Sequence, residues 1–229
     1  MTELPDRRMV DCLAYVKGLI MKDIISSIIT SVLTALYQPF WFSVILSVMV
    51  LFFYLFAYHN ETGGRGIRGG FFRGWLAGIS EENCVFYGSC FFLTFYTTMI
   101  LFRTLLNRDM WMNPLSDVMA NWWIWKYGED GTRYLTTECI ENLMLFIPFT
   151  ILLFWTAGKK ILKKTAFLNI VWTGLKITFV FSLSIELLQL FLRLGTFQVS
   201  DLTYNTLGGG IGGAVYWIGH QLSVRRGAE

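Results

Sequence analysis

Apolar runs of about 20 residues recur along most of the chain, separated by short polar stretches. As a helix, a run of that length crosses a hydrocarbon core of about 30 Å. The pattern predicts spans over residues 40–58, 84–106, 140–157, 167–192 and 204–222. An earlier stretch, 19–37, carries Lys22 and Asp23 at one end and a Ser/Thr stripe (Ser26, Ser27, Thr30, Ser31, Thr34) at helical spacing. It fits either a further crossing, a re-entrant hairpin with the next span, or an amphipathic helix along the surface. Gln38-Pro39 breaks it from the next span. The expected fold is all-α: a polytopic transmembrane helix bundle of about five to six spans with an N-terminal amphipathic or membrane-embedded helix.

Composition strengthens this reading, because 54% hydrophobic and 15% charged residues are far from the balance of a soluble domain. Charge then orients the bundle, since short cytoplasmic loops retain Lys and Arg. Six crossings with both termini inside place Arg7, Arg8, Lys17, Lys22, Arg65, Arg68, Arg73, Lys159, Lys160, Lys163, Lys164, Arg225 and Arg226 in the cytoplasm. Only Arg108, Lys126, Arg133 and Arg193 are left outside. A five-span arrangement divides the same residues almost evenly. Met1–Arg8 is polar, with no apolar core or cleavage site behind it, so no signal peptide is expected. Cys12, Cys84, Cys90 and Cys139 form no CxxC pair, so neither a zinc site nor a disulfide framework is expected.

On this topology the loop 107–137 is outside and holds Trp111, Trp122, Trp123, Trp125 and Tyr127. Such rings favour the headgroup layer, either as an interfacial helix anchoring the bundle or as a platform for a lipid-bearing ligand. The inner loop 59–83 is basic and Gly-rich, and is expected to touch anionic headgroups.

Candidate chemistry gathers at the outer ends of the spans. Ser182, Glu186, Gln189 and Arg193 recur on one face of the 167–192 helix. A carboxylate in mid-span costs roughly 2.5–3.5 kcal/mol on insertion scales, so this stripe should face a partner or a wet cavity. Arg103 and Asn107, Glu141 and Asn142, and Asp201 and Asn205 reach the same depth. Arg103 is the natural counter-ion for one of the acids. Blander readings stand beside these: capping of helix starts by Thr137-Glu138 and Ser200-Asp201, a structural Arg103–Glu186 pair, and Lys176 snorkelling to the inner surface. Two GxGxxG strings, at 64–69 and 208–213, follow no strand, which excludes a nucleotide fold. In the second, Gly208 with Gly212 and Gly209 with Gly213 form a close-packing face for another helix. No cofactor, metal or nucleic-acid partner is expected.

The order of these pieces resembles the VanZ-like family of bacterial membrane proteins. The resemblance rests on Arg103 to Asn107 with Asn113-Pro114-Leu115, Glu141-Asn142 with Pro148-Phe149, Ser184-Ile-Glu186-Leu-Leu-Gln189, and Asp201-Leu-Thr-Tyr-Asn205-Thr-Leu-Gly208-Gly209. Thr150 stands where a Gly commonly follows Pro-Phe. The resemblance implies an N-terminal extension over 1–83, a helical hairpin plus the basic loop, and a VanZ-like four-helix membrane core over 84–229. It also implies a bacterial plasma membrane location and a role in teicoplanin susceptibility. Three functions stay open. One is a polar site, formed by Arg103, Asn107, Glu141, Asn142, Glu186, Gln189, Asp201 and Asn205, that binds a lipid-linked cell-wall precursor or a lipoglycopeptide. The second is an enzyme modifying such a precursor by carboxylate acid/base chemistry. The third is a small transporter or scramblase.

Overall fold

A computed structural model describes residues 39–61, 81–106, 110, 113–119, 122–123, 125–127 and 133–226, with scattered helical positions between 22 and 37. Asn107, the loop 62–80 and the N-terminal 21 residues lie outside the described set, so the choice between a crossing and a surface helix for 19–37 rests on sequence alone. The chain is a helix bundle. Helix α1 runs Phe40–Glu61 and α2 runs Glu81–Leu101, continuing as a π-helical turn over Phe102–Leu106. Then come α3 (Glu138–Ile161), α4 (Phe167–Leu192) and α5 (Val199–Arg226). Among the described residues, Val85–Leu106, Glu138–Ile161 and Phe167–Leu192 are long and apolar enough to cross a membrane, and Phe40–Leu55 is a shorter apolar helix. At 28 residues α5 has the length to span, but its glycines and polar opening dilute its apolar character.

The glycines of α5 decide the packing. Its 208/212 face lies on α3: a Cβ added to Gly208 would sit 2.2 Å from the Leu143 carbonyl oxygen, and one on Gly212 2.6 Å from that of Ile147. Its 209/213 face lies on α4, where a Cβ on Gly209 would meet Thr178 Oγ1 at 2.0 Å and one on Gly213 the Ile170 carbonyl at 3.2 Å. Small residues let backbones approach where lipid offers no hydrophobic drive between helices. Helices α3 and α4 therefore both pack their backbones closely along α5, and meet each other through long side chains instead.

A second packing centre lies where α2, α3 and α4 converge. Ile100, Phe146, Phe149 and Ile185 are buried together, with Phe181 stacked on Phe149 at 5.0 Å and Phe146 edge-on to Phe149 at 5.8 Å. Pro148 interrupts α3, and Tyr96 Oη donates to the nearby Leu145 carbonyl at 3.0 Å. Helix α1 rides on α2 through the buried Pro39, Ser43 and Ser47, small side chains at four-residue spacing. The outer faces of the helices expose Trp41, Phe53, Trp155, Val180 and Phe191. That is the inverse of a soluble surface.

The 107–137 loop departs from the helix expected there. Its described part is a turn over 114–119 and a two-stranded antiparallel ribbon, β1 (Trp125–Tyr127) paired with β2 (Arg133–Leu135). Alternating aromatic and polar positions suit strand pairing better than a helical stripe. The loop docks on the α4–α5 connection through Phe197 N–H to the Pro114 carbonyl (2.9 Å), Val199 N–H to the Val118 carbonyl (3.0 Å) and a Met110–Leu194 bridge. Tyr204 Oη donates to the Trp122 carbonyl at 2.8 Å.

Candidate functional site

Antiparallel packing of α4 and α5 sets up the site one turn at a time. Ile170 faces Gly213, Thr178 faces Gly209, and Asn205 Nδ2 donates to Ser182 Oγ at 2.8 Å. One more turn along each helix brings Glu186 and Asp201 to the same level. Both are buried, at 3% and 9% exposure, so each requires fixed donors rather than solvent. Asn142 of α3 supplies one, its Nδ2 donating to Asp201 Oδ1 at 2.7 Å. The backbone N–H of Gln198 supplies the other, to Glu186 Oε2 at 3.0 Å.

That N–H is positioned by the way α4 ends. Arg193 adopts a left-handed conformation (φ 55°), Leu194 N–H returns to the Gln189 carbonyl at 2.9 Å, and Gly195 follows at φ 92°. This Schellman-type stop reverses the chain over a few residues. It folds Thr196 and Gln198 back over the bundle end, where the Gln198 amide donates to Thr196 Oγ1 at 2.9 Å.

A second cluster joins α2 to α3. Arg103, on the π-helical turn, forms an ion pair with Glu141, whose other oxygen accepts from Thr137 Oγ1. The guanidinium is 23% exposed and the carboxylate 9%, so the pair sits at the edge of the bundle. On the same turn the Thr104 carbonyl accepts from Gln189 Nε2 at 2.6 Å. A π-turn of this kind re-aims side chains within a helix and recurs at functional sites.

Of the residues singled out in the sequence, Arg103, Glu141, Asn142, Glu186, Gln189, Asp201 and Asn205 all lie at this end of the bundle and are linked in contacts between helices. Asn107 lies outside the described residues. Arg193 leaves the stripe, exposed at the helix stop. Two expectations are corrected. Thr137 makes no capping bond to the backbone: it lies in the right-handed helical region (φ −101°, ψ −1°) rather than the extended conformation of an N-cap, and its hydroxyl donates to Glu141. Ser200 does not cap α5, which already begins at Val199; its hydroxyl is buried with no hydrogen-bond partner. Asn205 Oδ1 is likewise buried without a partner. The Arg103–Glu186 pair weighed from sequence gives way to Arg103–Glu141. Thr104 and Gln198 belong to the network although nothing in the sequence singled them out, and Thr137 joins it as a donor to Glu141 rather than as a cap. Two of these contacts use backbone atoms, which leave no mark in a side-chain pattern. Among the described residues no three His, Cys, Asp or Glu side chains converge as a metal site.

Comparison with curated proteins and with solved structures returns no match in either set. The sequence pattern of the VanZ/LLP1 family, by contrast, matches residues 40–220, from the start of α1 to near the end of α5. This run takes in every residue of the clusters above, and the chain belongs to the VanZ/LLP1 family.

Proposed function

We propose that this protein is a multi-pass protein of the bacterial plasma membrane whose outward-facing polar end binds a lipid-linked cell-wall precursor or an acylated glycopeptide, lowering susceptibility to lipoglycopeptides such as teicoplanin. One observation carries the reading: Glu141, Glu186 and Asp201 are gathered, with their amide and guanidinium partners, at one end of the apolar helices. Burying such groups in a membrane is costly unless they serve a site. Beside them the loop exposes Leu115, Met119 and Trp123, an apolar seat for an acyl chain. The basic residues at the other end of α3, α4 and α5 support cytoplasmic termini.

Binding fits better than acid/base catalysis at Glu141, which accepts at both oxygens from donors of the fold itself. A general acid or base must instead present an oxygen to substrate. Expressed in a sensitive Gram-positive host, the chain should raise the inhibitory concentration of teicoplanin more than that of vancomycin. Glu186→Gln, confirmed in the membrane fraction, should abolish the difference. Equal or absent effects on the two drugs would overturn the reading.

A further inference from the structure

We propose that the bundle end opposite the carboxylates is a seat for the headgroup of an anionic phospholipid. Lys159 and Lys160 close α3, Lys163 and Lys164 lie in the connection to α4, and Arg225 and Arg226 close α5; all six are exposed. The sequence holds no Asp or Glu between Asn142 and Ile185, nor between Leu202 and Arg226. Within α3, α4 and α5 this end is therefore purely cationic, while their acids all lie at the other; Glu61 closes α1 and Glu81 and Glu82 open α2 on the neighbouring helix pair.

Packing brings the cations onto one surface. Gly158 lets Tyr216 approach so closely that an added Cβ would sit 3.2 Å from its hydroxyl, and Phe167 packs edge-on to Trp217 at 5.2 Å. These contacts hold the end of α3 and the start of α4 against the same stretch of α5. The connection itself is fixed: Leu162 N–H donates to the Gly158 carbonyl and Asn169 Nδ2 to the Lys164 carbonyl, each at 2.8 Å. The lysines are thus presented by an ordered turn.

Two features select a lipid over a free anion. Trp155, Phe167, Leu168 and Trp172 are exposed on the helix faces next to the cations, where acyl chains would lie. Lys176 extends its ammonium over the Trp172 ring, 5.4 Å from the centroid and one turn nearer this end. A phosphodiester headgroup at the bilayer surface meets the cations while its chains cover the rings.

The test is thermal unfolding of the full chain in a neutral detergent, with added phosphatidylglycerol, phosphatidylcholine or inorganic phosphate. Phosphatidylglycerol alone should raise the midpoint by several degrees, and about 0.5 M salt should remove most of that rise by screening. The variant carrying Lys→Gln at 159, 160, 163 and 164 should keep its midpoint in phosphatidylcholine and lose the increment. An equal rise with phosphatidylcholine, a rise with inorganic phosphate alone, or a rise that survives salt would overturn the proposal. The salt result needs no variant, so a poorly folding variant leaves the outcome decided. None of these readings depends on the carboxylate end binding a ligand.

Discussion

Arg103 and Glu141 pair across the junction of α2 and α3, joining a π-helical turn to the first turn of the following helix. Removing one partner leaves the other largely buried and uncompensated, which costs about 3–5 kcal/mol for a fully buried pair and somewhat less here, where the guanidinium is 23% exposed. Arg103→Gln and Glu141→Gln should each lower the unfolding midpoint. The double variant should lose clearly less than the two losses combined, a coupling read from a double-mutant cycle.

The glycine faces of α5 should be the least tolerant positions of the bundle. Gly209→Ala would drive a Cβ into the Thr178 side chain, and Gly208→Ala into the Leu143 backbone. Overpacking of this kind costs about 1–3 kcal/mol, more against backbone. Gly219→Ala meets nothing within 4 Å and should be neutral or stabilising by up to about 1 kcal/mol. Midpoints of the three variants, compared in one detergent, check the ordering.

Gln189→Met keeps the bulk of the side chain and removes its donor from the Thr104 carbonyl. The orphaned acceptor should cost about 1–3 kcal/mol. The loss should appear locally, as faster amide hydrogen exchange in the last turns of α2 with exchange in α5 unchanged.

Gly195→Ala tests the chain reversal that brings the Gln198 N–H to Glu186. At φ 92° an alanine is strained, by about 1–3 kcal/mol. The variant should exchange the Gln198 amide proton faster than the wild type does. An unchanged rate would mean that the Schellman stop does not hold that contact.

Much of this was legible in the sequence because it depends on local spacing. Helical period placed Ser182, Glu186 and Gln189 on one face, and all three are buried together. Four-residue glycine spacing announced the close face of α5, since the absence of a Cβ is a property of the residue itself. Pairing was less legible. Several acids lay at one depth, and only the register of three helices decided that Arg103 meets Glu141 while Asn142 meets Asp201. The π-turn and the Gln198 N–H are backbone events. The Thr137 hydroxyl donates its proton to the Glu141 carboxylate one turn on, a contact that depends on a backbone conformation the sequence does not state.

Because α3 and α4 hold to each other mainly through α5, the order of synthesis matters. A ribosome delivers α3 and α4 first, as two neighbours joined by the Phe149–Phe181 stack but without a close backbone partner. The segment that locks them emerges last, and it brings Asp201 and Asn205 with it. Assembly of the polar end is thus a late event, completed from the C-terminal side, and a nascent chain halted before residue 199 leaves Asn142 and Ser182 without the Asp201 and Asn205 they meet.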